Sequence, residues 1–342
     1  MHDTASSHAE KGERDLTERF LVIVAPTIYA LGKPGYGGIE RLVVLFLRGL
    51  LEHAGQSLEG KSPWDAGCVC TNGSVVPRGT RRYSSGPPLE NDYREPNLLP
   101  AVMRMFNETS LWLDFSHSKP VGRAVWWLPH LSPIWHDPAI MQPPAPAKNV
   151  VALSEWQAER FRRIQKQECM VLDPICGDGD YFIPGGKADA HFEESVVAAE
   201  QQDYLLFIGI LSPDKGALEA VRICKSLKQK LRLIGPIPTH SLYNRVDDQY
   251  AHAVLAECDG IDIVHHGEVS DPEKLFLMQR AKALFYPVSY PPGKGEAHSH
   301  KSVEAMLCGL PCIMYDQGAM KEVIDQGVTG LVIPGREELA EA

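Results

Sequence analysis

Two glutamates eight residues apart, Glu296 and Glu304, form the sharpest chemical pattern in the chain, in the run Glu296-Ala-His-Ser-His-Lys-Ser-Val-Glu304. The apolar spacing that follows predicts a helix over 299–308, with Glu296 in the loop before it and Glu304 inside it. A helix start has unpaired N–H groups and a partial positive charge, so Ser299, His300 and Lys301 could cradle a diphosphate. Glu304 could then accept hydrogen bonds from ribose hydroxyls, and Glu296 from those of a sugar. Taken alone, such a pair more often reads as solvated charge on a helix face, the usual place for Glu.

Other candidates are weaker. Arg78, Arg81, Arg82 and Arg94, with Tyr83 and Tyr93, form a locally basic stretch rich in Pro, Gly and Ser. It reads as a solvated surface loop more readily than as an acceptor-binding loop. Of Trp126 and Trp127, one must face the core in any strand, which leaves one to stack on a sugar ring. A single His is more often structural than catalytic.

These residues need a scaffold that brings loops together, and the chain predicts one. In the C-terminal half, short apolar runs at 204–209, 231–235, 261–265, 283–288, 311–315 and 330–333 read as buried strands. Helical spacing falls between them at 215–228, 242–257, 272–281, 299–308 and 320–326, the last closed by Gly327. The N-terminal half repeats the rhythm with more interruption. Strands are expected at 20–25, 111–115, 124–128 and 149–153, a glycine-rich turn at 35–38 leads into a helix over 39–53, and Ser154 caps another helix. Strands alternating with helices mean repeated βαβ units and doubly wound parallel sheets.

The chain's 342 residues accommodate two domains. A polar, acidic shift marks a linker at 186–203, between an N-terminal domain at 19–185 and a C-terminal one at 204–342. Residues 1–18 are expected to be a mobile tail, with neither an export nor a transit signal. The longest mostly apolar stretch, 20–31, is too short for a membrane span and contains Pro26. A net charge of -10 excludes a general nucleic-acid binder, which needs a basic face, but not a small phosphorylated ligand. Eight cysteines show neither disulfide-framework nor zinc spacing, so reduced thiols and a cytoplasmic location are expected.

Residues 204–335 resemble the C-terminal domain of family 4 retaining glycosyltransferases, of the "glycosyl transferases group 1" type and GT-B fold. The resemblance is carried by Phe207-Ile-Gly209 with Lys215-Gly216, Gly267-Glu-Val269, Phe285-Tyr-Pro287, the E-x7-E pair, Gly309-Leu-Pro311, Gly318, Glu322-Val323 and Thr329-Gly-Leu-Val332. The N-terminal match is thinner. It rests on Gly37-Gly38-Ile-Glu40, Asp114-Phe-Ser-His117, a strand ending at His130, Leu153-Ser154, Pro174-Ile-Cys-Gly177 and Asp180.

The resemblance implies two Rossmann-like doubly wound domains facing across a cleft. A nucleotide-diphosphate sugar would donate a hexosyl group, with retention, to a hydroxyl of a carbohydrate, lipid-linked or small-molecule acceptor. Neither metal nor cofactor is implied. Glu296 contacts the transferred sugar, Lys215 the donor phosphate, Glu304 the ribose, and Gly37 and Gly38 approach the phosphates and acceptor. His130 lies beside the reacting sugar, with His117 the weaker choice, and Trp127 is a possible sugar contact. Gly209, Glu268, Val269, Ser299, His300 and Lys301 complete the donor site, with base recognition in backbone contacts between Gly235 and Val269.

Two departures matter. The family's phosphate-neutralising arginine falls on Ile210, so Lys215, Lys294, Lys301 or the amides at 299–301 must compensate. Few residues follow Ile333, so the helices that return to the N-terminal domain in the family are expected to be absent or reduced. Two other readings stay open: a nucleotide-sugar epimerase of the same fold, and a catalytically weak nucleotide-sugar-binding partner protein.

Overall fold

The computed structural model describes residues 19–25, 30–32, 38–55, 64–84, 111–115, 126–127, 149–172, 182, 203–238, 246–290 and 294–335. The β-branched and apolar run of β1 (Arg19–Val24) is sandwiched in parallel between β2 (Trp64–Cys70) and β4 (Leu111–Asp114). With β3 (Arg81–Ser84) and β5 (Trp126–Trp127) at the edges, the order is β3-β2-β1-β4-β5, all parallel. Helix α1 (Gly38–Gly55) lays Ile39, Leu42, Val43 and Leu47 on this sheet.

The first sheet corrects several expectations. β2 was not anticipated, because its sequence WDAGCVC lacks a continuous apolar run. The basic stretch expected as a surface loop contains the edge strand β3, in which Arg81 and Arg82 are exposed. Edge strands carry charge to discourage further pairing, and that composition imitates a loop. The strand expected over 149–153 is reduced to β6 (Val151–Ala152), which pairs with β7 (Met170–Val171) in a separate two-stranded sheet. Helix α2 (Glu155–Arg160) starts where Ser154 accepts a hydrogen bond from the Gln157 amide at 3.2 Å, and a π-helical turn (Phe161–Gln165) extends it.

The second sheet follows expectation strand by strand: β8 (Tyr204–Ile208), β9 (Lys230–Ile234), β10 (Ile263–His265), β11 (Ala283–Tyr286), β12 (Cys312–Tyr315) and β13 (Gly330–Ile333). Between them run α3 (Ala217–Ser226), α4 (Val246–Glu257), α5 (Asp271–Arg280), α6 (His300–Leu307) and α7 (Met320–Val323). The order is β10-β9-β8-β11-β12-β13, all parallel, the doubly wound arrangement. Helices on both faces bury the strands from either side, which is why each reads as a nearly unbroken apolar run. Phe182 packs into this core, ahead of the polar linker stretch in the chain. One helix is shorter than expected. α7 stops at Val323 because 325–330 form their own turn, the Thr329 amide reaching the Asp325 carbonyl at 2.9 Å.

The two halves meet at defined contacts. The Glu322 carboxylate accepts from the Glu155 and Trp156 amides at 2.7 and 2.8 Å, capping α2 from the other domain. Leu153 and Trp156 pack on Ala297 beside it.

Strand order in the second sheet reverses between β8 and β11, so their outgoing loops diverge and leave a crevice at the carboxyl ends. A turn of 3-10 helix (Pro213–Lys215) lines the first loop and ends at Gly216, whose φ is 77°. A Cβ there would lie 2.1 Å from the Pro287 carbonyl oxygen of the second loop. Gly216→Ala is therefore expected to cost roughly 3 kcal/mol of stability, from left-handed strain and forced separation of the loops. Urea unfolding of the variant beside the parent measures it.

Candidate active site

Glu296 enters the crevice from a tightly held backbone. Gly318, at φ 72°, packs so closely that a Cβ would stand 2.2 Å from the Glu296 carbonyl oxygen. The Ala319 amide donates to that oxygen at 2.8 Å. On the other side, a Cβ on Gly295 would meet Gly318 and the Trp156 ring within 2.8 Å. The carboxylate is thus aimed by its main chain. Its Oε1 accepts from the Lys215 ammonium at 2.6 Å, from the Tyr286 hydroxyl at 2.5 Å and from the Tyr290 hydroxyl at 2.9 Å. Lys215 also donates to Tyr290 at 2.6 Å.

A second cation closes the cluster. The Lys301 ammonium lies 3.8 Å from Glu296 Oε2 and 3.7 Å above the Tyr286 ring, where the negative face of the ring favours a cation. Burial alone would push the Glu296 carboxyl up. Lys215 first and Lys301 second outweigh it and hold the group well below the usual carboxylate range. Burial pulls Lys301 down, against the upward pull of Glu296, to about 8. Burial and then Glu296 raise both tyrosines well above their ordinary value, so they stay protonated donors. Two ammonium groups thus flank one ionised carboxylate, with Asp214 3.6 Å from Lys215.

The α6 start adds backbone donors. Ser299 is the N-cap residue, yet its hydroxyl pairs with the Ser302 hydroxyl at 2.5 Å and makes no side-chain cap. A helix start without a side-chain cap favours an outside anion. His298 and His300 stand edge to face there, ring centres 5.3 Å apart.

Glu304 lies one turn further along α6 and is only 3 % exposed. Its Oε1 accepts from Arg41 at 2.7 Å and its Oε2 from Lys274 at 2.9 Å. Arg41 comes from α1 of the other domain and also bonds Asp271, at the start of α5. Lys274 lies 3.4 Å from Asp271, and Ser270 and Glu273 form a reciprocal cap that fixes this end of α5. Burial opposes the Arg41 charge, but Glu304 and Asp271 outweigh it and raise its pKa.

The floor of the crevice is glycine. Gly209 follows β8, and its carbonyl oxygen would stand 1.9 Å from a Cβ on Gly235. The Gly235 amide in turn bonds the Gly267 carbonyl at 2.8 Å. Glu268 beyond it is exposed, while Val269 packs against the core. Ile210 is buried and apolar, so no side-chain cation arises at that position.

Of the expected site residues, the structure gathers Glu296, Lys215 and Lys301, with Ser299 and His300 at the adjoining helix start. It sets Glu304 one turn away and Gly209 at the end of β8. Gly37, His117 and His130 lie outside the described residues, as does the side chain of Trp127. Gly38 begins α1, and Trp127 pairs with Asp114 in β5. Sequence reasoning missed Tyr286, Tyr290, Asp271, Lys274 and Arg41 as site residues. Tyr286 ends β11 at the strand-order reversal, a placement that flags it. Arg41 carries a positive charge in the first turn of α1, against the helix dipole, which signals an acidic partner elsewhere.

Residues 189–342 match the family model described as "Glycosyl transferases group 1", so the resemblance read from the C-terminal motifs holds at that level. A D-inositol 3-phosphate glycosyltransferase of Kribbella flavida is 27 % identical over 173 residues, 48 % of this chain. That match spans only 39 % of the relative's own length. Among solved structures, sucrose-phosphate synthase from Thermosynechococcus elongatus superposes with a TM-score of 0.69 at 16 % identity, covering 95 % of this chain and 88 % of the other. Anabaena HepE in complex with UDP and glucose gives 0.64 at 15 % identity, covering 94 % and 88 %. The fold is GT-B, with two Rossmann-like domains.

The Lys301 shift has a measurable consequence. A lysine whose folded-state pKa is about 8, against roughly 10.4 unfolded, leaves the folded state with fewer protons in that window, so stability rises with pH there. Between pH 7 and 9 the parent should gain about 1 kcal/mol relative to Lys301→Met, read from paired denaturation curves.

Proposed function

We propose that this chain, whose residues 189–342 are of the group 1 glycosyl transferase type, is a metal-independent retaining hexosyltransferase of family 4. It would take a nucleotide-diphosphate sugar as donor and a hydroxyl compound as acceptor, and work in the cytoplasm. The observation that carries this reading is the buried, ionised Glu296 between Lys215 and Lys301 at the strand-order reversal. The UDP complex of the Anabaena relative supports a nucleoside diphosphate as the donor's leaving half.

In the reaction, the bond from the anomeric carbon to the diphosphate oxygen breaks and the acceptor oxygen bonds to that carbon on the same face. The acceptor's proton passes to the departing phosphate oxygen. Negative charge grows on the diphosphate, and Lys215, Lys301 and the amides of Ser299 and His300 are pre-arranged to receive it. Glu296 accepts hydrogen bonds from the sugar hydroxyls and Glu304 from the ribose. Gly209, Glu268 and Val269 bind the donor, with the base recognised by backbone between Gly235 and Val269. Gly37 and Gly38 approach the donor phosphates and the acceptor, His117 and Trp127 contact the acceptor or sugar, and His130 lies beside the reacting sugar.

The buried Ile210 favours one competing reading, a partner that binds the nucleotide sugar without turning it over. Thermal-shift measurements with UDP, GDP and ADP and their sugars identify the donor. Transfer assays with that donor across an acceptor panel then separate the two readings. Glu296→Ala is expected to lower transfer at least about 100-fold while the protein stays folded, in line with loss of a group that acts at the reacting centre. Full activity in that variant excludes the assignment.

A further inference from the structure

Glu304 is the carboxylate that the proposed function gives to the donor's ribose, and both of its oxygens already hold charge-assisted hydrogen bonds. One donor, Lys274, sits on neighbouring α5 in the same domain. The other, Arg41, reaches over from α1 of the opposite domain. Both also face Asp271 and the Phe182 ring, and they differ in how deeply they are held. Lys274 is mostly buried, at 11 % exposed, and its ammonium lies 4.5 Å over the Phe182 ring. Arg41 is more open, at 28 % exposed, and lies 6.0 Å from the Phe182 ring, so it is the easier of the two to withdraw from Glu304, and the half-exposed Asp271 remains to receive it.

We propose that Arg41 is an interdomain latch that competes with the donor's ribose for Glu304. This rests on the reading of Glu304 as the ribose acceptor. The guanidinium offers N–H donors where the ribose diol would offer two O–H donors, and a 3 % exposed carboxylate has no room for both sets. Nucleoside diphosphate binding therefore breaks the Arg41–Glu304 pair and leaves Arg41 on Asp271 alone, which loosens the hold of α1 on the C-terminal domain without severing it. The empty site stays closed by the same contact. The fraction of molecules with Arg41 withdrawn scales the apparent affinity, so the latch weakens donor binding until it is removed. It also makes that weakening specific to ligands that carry ribose hydroxyls.

The test is titration calorimetry of the parent, Arg41→Gln and Arg41→Lys with UDP, GDP and ADP, and with their 2′,3′-dideoxy analogues. Removing a cation should weaken the binding of any diphosphate by electrostatics, so tightening is diagnostic. Arg41→Gln is expected to bind the preferred ribonucleotide about tenfold more tightly, a loss of one charge-assisted competitor. Its dideoxy analogue should stay within about twofold of the parent value. Arg41→Lys, which keeps the charge but cannot fork across two carboxylates, should fall between. Unchanged or weaker ribonucleotide binding in Arg41→Gln overturns the latch alone, as does equal tightening for the dideoxy analogue. No binding of any of the three diphosphates to parent or variant overturns the donor-site reading, and the latch with it.

Discussion

A carboxylate that is buried yet charged constrains everything around it. Glu296 remains an anion only because two ammonium groups and two phenol hydroxyls meet it inside the protein. Those partners come from three separate stretches of chain: the loop after β8, the end of β11 with its outgoing loop, and the first turn of α6. They converge because β8 and β11 are neighbours in the sheet though far apart in sequence, and because Gly216, Gly295 and Gly318 let the loops close to backbone contact. A side chain at any of these glycines would separate the cations from the anion.

The cluster also puts the acidity of the chain in proportion. A net charge of -10 excludes a broad phosphate-binding face but does not describe the crevice. Lys215 and Lys301 are largely buried, where water screens them weakly and their field acts over a short, well-defined space. The cluster sets two ammonium groups against Glu296 and Asp214, so it does not share the net acidity of the chain.

How far the sequence revealed this structure depended on which half was read. The second sheet is covered by helices on both faces, so its strands are continuous apolar runs punctuated by glycine and proline, and each was expected near its observed place. The first sheet has an edge of charged residues at β3, a mixed strand at β2 and only two residues at β5, patterns that periodicity does not separate from loop. In the site, Glu296 and Lys301 were legible from one local run and Lys215 from its own Lys215-Gly216 motif. The Arg41 pairing with Glu304 arises from tertiary approach across 263 residues of sequence. No local spacing encodes such a meeting, although the sign of Arg41 at a helix start hinted at one.

The cap that Glu322 places on α2 carries a mechanical meaning. Its two hydrogen bonds join the domains at a point where one helix begins and another ends. Sliding the halves apart there would strip two amides at a helix start of their partner, whereas turning about the bonds keeps them intact. The junction therefore resists translation and permits rotation, as a pivot does. Trp156 sits at that pivot against Gly295, next to Glu296, so the buried carboxylate lies near the axis. The angular freedom of the two halves is felt least at Glu296 and most at the far lip.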